Sequence, residues 1–236
     1  MNTPYGRLQT AQARIEAVNA FLRDVYGWMC LGLFVTAAAA LFTVSSPALM
    51  QAVFGNQMLL IVLIVAELGL VIWLSAAINR LSTGTASLLF LAYSALNGVT
   101  LSAIFVVYSP TVIIKAFLIS GGMFGAMSLY GLVAQKDLTS FGSFFFMGLV
   151  GIVIASVVNM FAKSAAIDFV ISCVGVLVFL GLTAYDTQKL KIMGQVAPAD
   201  AATAVRRGTI LGALTLYLDF INLFLMLLRL FGSSRD

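Results

Sequence analysis

The chain has 236 residues, of which 61% are hydrophobic and only 9% are charged, and its mean hydropathy is +1.06. A soluble domain of this size would leave too much apolar surface in water, so the composition excludes that class and indicates an integral membrane protein. The net charge of +4 is spread over short polar segments and is not gathered in one patch, which argues against nucleic acid as a partner.

Residue types that commonly bind metals or respond to pH are scarce. The chain has no histidine and two cysteines, Cys30 and Cys173, each inside an apolar segment. We therefore expect no zinc site, no imidazole pH switch and no bound cofactor. The two cysteines are expected to be free and not joined in a disulfide.

Residues 1–24 form a polar arm in front of the first apolar run. Apolar side chains recur in this arm at helical spacing, at Leu8, Ala11, Ile15, Val18 and Leu22. The pattern fits an amphipathic helix on the membrane surface, and it fits equally well a frayed tail that leads into the first span. The first apolar run does not end in a small-residue cleavage site, so we expect no cleavable signal peptide.

Seven apolar runs are long enough to cross a bilayer, since a span needs about 20 residues. They define a transmembrane domain over residues 25–236, with short polar or charged breaks between them. The predicted spans are residues 25–45, 57–78, 85–107, 112–134, 141–162, 167–188 and 208–230. Only the sixth break, KLKIMGQVAPADAATAVRRG, is long, and Asp200 in it is a candidate cap for a short helix through Val205.

The distribution of Lys and Arg selects an orientation. If the N-terminus is cytoplasmic, nine of these residues lie on the cytoplasmic side and four lie outside, so the positive-inside rule favours this arrangement with an external C-terminus. The cytoplasmic set is Arg7, Arg14, Arg23, Arg80, Lys136, Lys189, Lys191, Arg206 and Arg207, and the external set is Lys115, Lys163, Arg229 and Arg235. The long sixth break then faces the cytoplasm.

Three acidic residues lie within apolar spans. Glu67 is near the middle of the second span, Asp186 is near the inner end of the sixth, and Asp219 is midway along the seventh. None of these spans has a basic residue at the same depth, and charges of one sign favour a cation path or a proton relay over a structural ion pair. Plainer alternatives stay open: Glu67 as a protonated acid bonded to a neighbouring helix, and Asp186 as a group solvated at the interface or paired with Lys189.

Asp219 is the most difficult of the three to explain as structural. It lies about 16 Å into its span at 1.5 Å per residue, where a carboxylate costs several kcal/mol unless something solvates or pairs it. Thr215 and Asn222 lie on the same helix face and form a supporting polar stripe. The orientation places Asp186 and Asp219 in the same half of the membrane. The two carboxyl groups are therefore expected to meet, to share a proton and to titrate as a pair.

Two aspartates on neighbouring spans also fit an intramembrane aspartyl protease, in which a shared proton lets one carboxylate activate water. Ala184-Tyr185-Asp186 resembles the first motif of that class. The Gly-x-Gly-Asp motif expected at the second aspartate reads Leu216-Tyr217-Leu218-Asp219 instead. The missing glycines argue against proteolysis, and we expect no enzymatic activity.

The seven spans, the sequence AYDTQKL that closes the sixth, and LTLYLDFINLFLMLLRL followed by Phe-Gly together resemble the transmembrane Bax inhibitor motif family, which is Bax inhibitor-1-like. The similarity covers residues 20–232, and the motif of the last helix is long and specific. The polar N-terminal arm and the lack of an appended domain are typical of a bacterial member, located in the inner (plasma) membrane.

The resemblance implies an all-α fold in which six helices wrap around a central C-terminal seventh, and a pH-sensitive calcium leak channel gated on its cytoplasmic side by an aspartate pair. Asp186 and Asp219 match the members of that pair, where Ca²⁺ would bind transiently, and Glu67 matches an acidic residue that lines the ion path. Arg80 is the candidate for an arginine that latches onto the sixth-helix aspartate in relatives. Relatives can carry a basic cluster where this chain has only Asn79-Arg80.

Calcium also suits the chemistry of these residues. Ca²⁺ is a hard cation that prefers carboxylate and carbonyl oxygens, and two or three carboxylates attract it but supply too few ligands to trap it. The expected partners are thus the lipid bilayer, Ca²⁺ as the transported ion, and protons. A different class of function stays open: a non-conducting regulator whose acidic residues are structural and whose cytoplasmic face binds a membrane protease or a cell-death or stress protein.

Overall fold

The computed structural model describes residues 4–196 and 202–232 of the chain. Within those residues every regular element is helical, which confirms the predicted all-α fold. In chain order the α-helices are α1 (Pro4–Ser45), α2 (Pro47–Phe54), α3 (Gln57–Ala77), α4 (Thr83–Leu101), α5 (Ile104–Val107), α6 (Pro110–Val133), α7 (Gly142–Ala162), α8 (Ala165–Val196) and α9 (Ala202–Gly232), and a 3₁₀ turn at Thr139–Phe141 precedes α7.

Seven helical segments are long and apolar enough to cross a bilayer, as predicted from the sequence. They are Gln12–Ser45, Gln57–Ala77, Thr83–Val107, Pro110–Val133, Thr139–Ala162, Ala165–Val196 and Thr203–Gly232. The last is the most buried, with 72% of its apolar stretch buried, compared with 6% for the spans of α3 and α7. The protein is therefore an all-α membrane protein with seven spans. A central position for α9 among the other six stays a prediction.

Polar residues determine where several helices begin. The side chains of Ser46, Asn56 and Ser82 accept hydrogen bonds from backbone N–H groups in the first turns of α2, α3 and α4. Pro47 and Pro110 occupy the first turns of α2 and α6. Backbone N–H groups in a first turn have no acceptor within the helix, so proline, which has no N–H, costs no hydrogen bond there. The polar breaks between the apolar runs are thus helix caps as well as turns.

The polar arm is not separate from the first span, because α1 runs unbroken from Pro4 to Ser45. Val18, Phe21 and Leu22 are buried. Phe21 packs against Gly194 near the end of α8, where a Cβ atom on the glycine would lie 3.0 Å from the ring. Over these residues the arm is therefore a helix that packs partly on α8, and its place on the membrane surface stays a prediction.

The non-helical part of the sixth break is also shorter than its polar composition indicated. Helix α8 continues to Val196 and α9 begins at Ala202, so most of the segment is helical. Lys, Gln, Met and Ala favour helix, and the contact with the arm buries one side of it. The candidate cap Asp200 lies outside the described residues.

The chain divides into two compact units. Unit 1 comprises Met1–Val107 with Leu190–Tyr217, and unit 2 comprises Tyr108–Lys189 with Leu218–Asp236. Helices α8 and α9 therefore each contribute to both units. Among the predicted site residues, unit 1 contains Glu67, Arg80 and Thr215, and unit 2 contains Asp186, Asp219 and Asn222.

In unit 1, α1 packs closely on α4 through small residues on both helices. A Cβ atom at Gly32 would lie 2.5 Å from the Phe90 ring and 3.0 Å from the Ser94 hydroxyl. Gly98 lies equally close to the backbone of Thr36. Glycine at these two positions lets the helices approach to backbone contact, as small residues commonly do in bilayers.

In unit 2, α8 contacts α6 and α9 through glycines on two of its faces. Gly131 of α6 lies against the carbonyl of Ala184, and a Cβ atom there would be 3.1 Å from the Cβ of Thr187. Gly175 of α8 makes room for Met226 of α9, whose sulfur would lie 2.7 Å from an added Cβ. The contact at Gly131 is too tight for a larger residue, because the nearest atoms belong to the backbone of α8. At Gly175 the nearest atoms belong to the flexible side chain of Met226.

The third face of α8 packs on α7 in the same way. A Cβ atom at Gly142 would lie 2.7 Å from the Tyr185 ring, and one at Gly148 would lie 2.9 Å from a methyl group of Val178. Helix α8 is thus held by α6, α7 and α9 together. These contacts run from Gly175 to Thr187 of α8, and Asp186 lies within that stretch.

Replacing Gly131 by alanine tests this packing. The new methyl group would meet the backbone of Ala184, which cannot move aside as a flexible side chain can, so we expect a loss of about 2 kcal/mol in the free energy of unfolding. Thermal unfolding of the purified protein in detergent measures the change. Gly125→Ala on the same helix is the matched control, because a Cβ atom there meets nothing within 4 Å. Equal melting temperatures for the two variants would contradict the proposed contact.

Candidate functional site

Two of the predicted site residues, Asp186 of α8 and Asp219 of α9, lie together in unit 2. Their carboxyl groups are hydrogen-bonded to each other. Both side chains are buried, with exposed fractions of 9% for Asp186 and 5% for Asp219. Two carboxyl groups are thus in direct contact inside apolar helices, where neither is solvated by bulk water.

Helix geometry explains why these two side chains meet. Gly175 of α8 contacts Met226 of α9, and Asp186 follows Gly175 by eleven residues, about three turns, on the same face. Asp219 precedes Met226 by seven residues, about two turns, also on one face. The helices therefore run antiparallel here. Because side chains lean toward the N-terminus of their own helix, the two carboxyl groups lean toward each other.

Apart from its bond to Asp186, the carboxyl group of Asp219 has few polar contacts. Its Oδ2 atom is buried and accepts no hydrogen bond from an N–H group or a hydroxyl group of the described residues. The next residue, Phe220, packs edge-on against Phe117 and Phe124 of α6, with ring centroids 5.5 and 5.6 Å away. The residue next to Asp219 is therefore held against α6 by aromatic contacts.

The charged residue that acts on Asp186 is Lys189, three residues further along α8. Lys189 is exposed, and its ammonium group lies 5.7 Å from the centre of the Tyr185 ring. It therefore provides an exposed positive charge near the pair. Among the described residues no three His, Cys, Asp or Glu side chains cluster as a metal site would require, and both cysteines are free.

Glu67 lies in unit 1, half-buried on α3, and bonds to α4. The hydroxyl of Thr100 donates to Glu67 Oε1 over 2.8 Å, and the side chain of Asn97 is a second partner. Glu67 thus bonds to a neighbouring helix, as the plainer interpretation of this residue supposed. Its place in an ion path stays a prediction.

Sequence reasoning missed a polar cluster around Tyr217 in unit 1. The Tyr217 hydroxyl lies 2.7 Å from Thr36 Oγ1 and donates to Asn97 Oδ1 over 3.1 Å. The rings of Phe90 and Tyr93 pack edge-on around it, with centroids 5.8 and 5.9 Å away. Asn97 and Thr36 are polar residues inside apolar runs, so the sequence could have indicated this cluster. Neutral polar side chains are a weaker signal of function in a span than carboxylates are.

The remaining predicted residues make local contacts. Thr215 donates to Leu211 O over 3.0 Å and Asn222 donates to Leu218 O over 2.8 Å, so each hydrogen-bonds to the backbone of α9. Arg80 is exposed in unit 1. The support of Asp219 by the polar stripe and the latch between Arg80 and Asp186 stay predictions.

A second residue missed from the sequence is Gln188, which holds the loop between α6 and α7. Its amide oxygen accepts from the N–H of Leu138 over 2.7 Å, and its amide nitrogen donates to Lys136 O over 2.9 Å. In the same loop the hydroxyl and the N–H of Thr139 donate to Asp137, and these bonds hold the pKa of that carboxyl below its ordinary value. Gln188 follows Asp186 by two residues, so this loop is fixed to the part of α8 that carries the pair.

The chain is similar to one protein family and to several bacterial proteins. The family model described as "Inhibitor of apoptosis-promoting Bax1" matches residues 18–236. The inner membrane protein YbhL of Escherichia coli (strain K12) is 53% identical over 218 residues, which cover 92% of this chain and 93% of that protein. A protein of Borreliella burgdorferi is 45% identical over 92% of this chain and 94% of its own length. The Rickettsia prowazekii protein RP147 is 42% identical, with coverage of 94% and 92%.

Gln188→Ala tests the attachment of the loop to α8. The substitution leaves the buried N–H of Leu138 without its acceptor, so we expect faster amide hydrogen exchange over residues 134–138 and a loss of about 1–2 kcal/mol in stability. Hydrogen exchange followed by mass spectrometry measures the first effect. Gln135→Ala is the control, because Gln135 is an exposed glutamine in the same loop. If both variants exchange at the parent's rate, the attachment contributes nothing.

Proposed function

The chain belongs to the Bax inhibitor family, and on this premise we propose that it is a pH-sensitive calcium leak channel gated by the carboxyl groups of Asp186 and Asp219. The observation that carries the proposal is the direct hydrogen bond between two buried carboxyl groups on neighbouring apolar helices. Buried carboxyl pairs of this kind titrate as a unit and are concentrated at functional sites.

The closed state is the protonated one. A carboxyl group can donate to a carboxylate only while a proton remains between them, and that bond holds α8 to α9. When the pair ionises fully, two negative charges at close range in a poorly screened site repel each other and separate the helices. Lys189 offsets part of this repulsion from the surface, but it is exposed and therefore screened by solvent. Raising the pH opens the gate.

The open state presents the same oxygens to a cation. Ca²⁺ accepts carboxylate oxygens in flexible geometry, and two carboxylates supply fewer than the six to eight ligands it takes when tightly bound. Binding is then weak enough for release, which conduction requires. Glu67 lines the path in unit 1, and Ca²⁺ is transported and not retained, so no resident cofactor and no enzymatic step are involved.

The proposed location is the bacterial inner membrane, with the N-terminus in the cytoplasm. The seven apolar helices support a multi-pass protein. The Escherichia coli relative is an inner membrane protein by name. Nine of the 13 Lys and Arg residues lie on the side that would face the cytoplasm, which supports a cytoplasmic N-terminus.

The rival function is a non-conducting regulator that binds a membrane protease or a cell-death or stress protein. The family is described as "Inhibitor of apoptosis-promoting Bax1", and a role as an inhibitor favours this second function. Liposomes that contain the purified protein and a trapped calcium dye separate the two functions, because a regulator alone does not pass Ca²⁺. A dye signal that never exceeds that of empty liposomes at any pH would leave only the regulator.

Asp219→Asn tests the gate. Asparagine keeps the shape of the side chain but cannot exchange a proton, so we expect Ca²⁺ leak in liposomes to lose its rise with pH. Asp24→Asn is the control, since Asp24 is an exposed aspartate beside Arg23, and the leak of that variant should follow pH as the parent's does. A leak in Asp219→Asn that still follows the parent's pH profile, from protein that inserts normally, would make Asp219 a structural residue.

Arg80→Ala tests the proposed latch. If the guanidinium pairs with Asp186 in the closed state, its removal changes the basal leak, and adding Asp186→Asn cancels most of that change. The leak rates of parent, both single variants and the double variant form the cycle. Purely additive effects would show that the two residues act independently.

A further inference from the structure

A cavity of about 400 Å³ in unit 2 is lined by residues at the ends of three helices, α7, α8 and α9. This volume falls within the range of about 300–1,000 Å³ that is typical of small-molecule sites. The cavity is far from the carboxyl pair, because Asp168 precedes Asp186 by 18 residues, or about 27 Å of helix. Its lining residues are Ser156, Val157, Asn159, Met160, Asp168 and Arg229.

The lining residues all lie where the three helices approach the same end of the bundle in unit 2. Asp168 is in the first turn of α8, and Arg229 is in the last turn of α9. The four residues of α7 lie in the last two turns of that helix, which ends at Ala162. In the proposed orientation this is the outer end of the spans. The polar headgroups of a bilayer lie at that level, just beyond the hydrocarbon core.

The cavity contains two opposite charges and a polar amide. Arg229 Nη1 lies 3.8 Å from Asp168 Oδ1, and the two side chains are 40% and 43% exposed. That distance is longer than the roughly 2.7–2.9 Å of a charge-assisted hydrogen bond, so the ion pair is loose. Asn159 Oδ1 accepts from the N–H of Ser164 over 3.0 Å, which leaves its amide nitrogen as the group that can donate to a ligand.

The α7 side of the cavity is apolar and faces lipid. Val157 and Met160 are 51% and 65% exposed. Only 6% of the apolar stretch of the α7 span is buried, so most of this helix surface is available to acyl chains. A ligand in the cavity therefore meets charged and polar groups at one end and lipid-facing side chains at the other. That combination is the chemistry of a phospholipid molecule.

We propose that this cavity binds phosphatidylethanolamine, a phospholipid whose headgroup carries a phosphate and a primary ammonium. Arg229 and the Asn159 amide donate to the phosphate, and the Asp168 carboxylate accepts from the ammonium. Val157 and Met160 contact an acyl chain. Phosphatidylglycerol has the phosphate but no ammonium, so the carboxylate would repel it. The site is separate from the proposed gate and does not depend on the channel function.

Native mass spectrometry of the purified protein, titrated with short-chain forms of the two lipids, tests the site. The parent should bind phosphatidylethanolamine about fivefold more tightly than phosphatidylglycerol. Arg229→Gln should weaken phosphatidylethanolamine about fivefold, because the phosphate loses its charged donor. Asp168→Asn removes the repulsion and should bring the two lipids within about twofold of each other. Lys163→Gln is the control, since Lys163 is an exposed cation between α7 and α8 that does not line the cavity, and this variant should keep the parent's preference.

A measurement on the parent keeps the test decisive if a substitution disturbs folding. A ligand that binds only the folded state raises the melting temperature, so phosphatidylethanolamine should raise it more than an equal concentration of phosphatidylglycerol. Equal effects of the two lipids on the parent, or an Arg229→Gln variant that binds as Lys163→Gln does, would overturn the proposal and leave the ion pair a purely structural role. Soluble glycerophosphoethanolamine that competes as well as the lipid at equal concentration would also overturn it, because the occupant would then be a free headgroup.

Discussion

A hydrogen bond between two carboxyl groups exists only while they hold a proton between them, and the proposed mechanism depends on such a bond. Asp186 and Asp219 make it inside two apolar helices, where repulsion between two ionised groups is poorly screened. The chain has no histidine, so it lacks the side chain that usually couples protein structure to pH near neutrality. In the proposed mechanism the carboxyl pair takes this role, with residues that are otherwise avoided in membranes.

The precision of that bond comes from the packing of α8 in unit 2. Glycines lie at the contacts of α8 with α6, α7 and α9, and at Gly131 the contact reaches the backbone of α8, so α8 has little freedom to rotate or slide. Gln188 adds the loop between α6 and α7 to the same part of the helix. In the proposed mechanism, a change at the pair therefore acts on packed helices and on this loop.

The sequence was sufficient for features that depend on composition and failed for those that depend on tertiary contacts. Apolar length identified the seven spans, and charge in an apolar run identified Asp219. The end of α8 at Val196 was not predicted, because its polar residues are typical of a loop. The extra turns contact the first helix, where Phe21 packs on Gly194 and the Arg14 side chain donates to Gln195 O.

Infrared difference spectroscopy across pH, recorded beside the calcium leak of the same liposomes, tests the central claim most directly. The protonated carboxyl band that is present in the parent and absent in an Asp186→Asn, Asp219→Asn double variant reports the shared proton alone. If that proton gates the channel, this band disappears over the same pH range in which the leak rises. A band that persists while the leak rises, or that vanishes while the leak stays constant, would contradict the account.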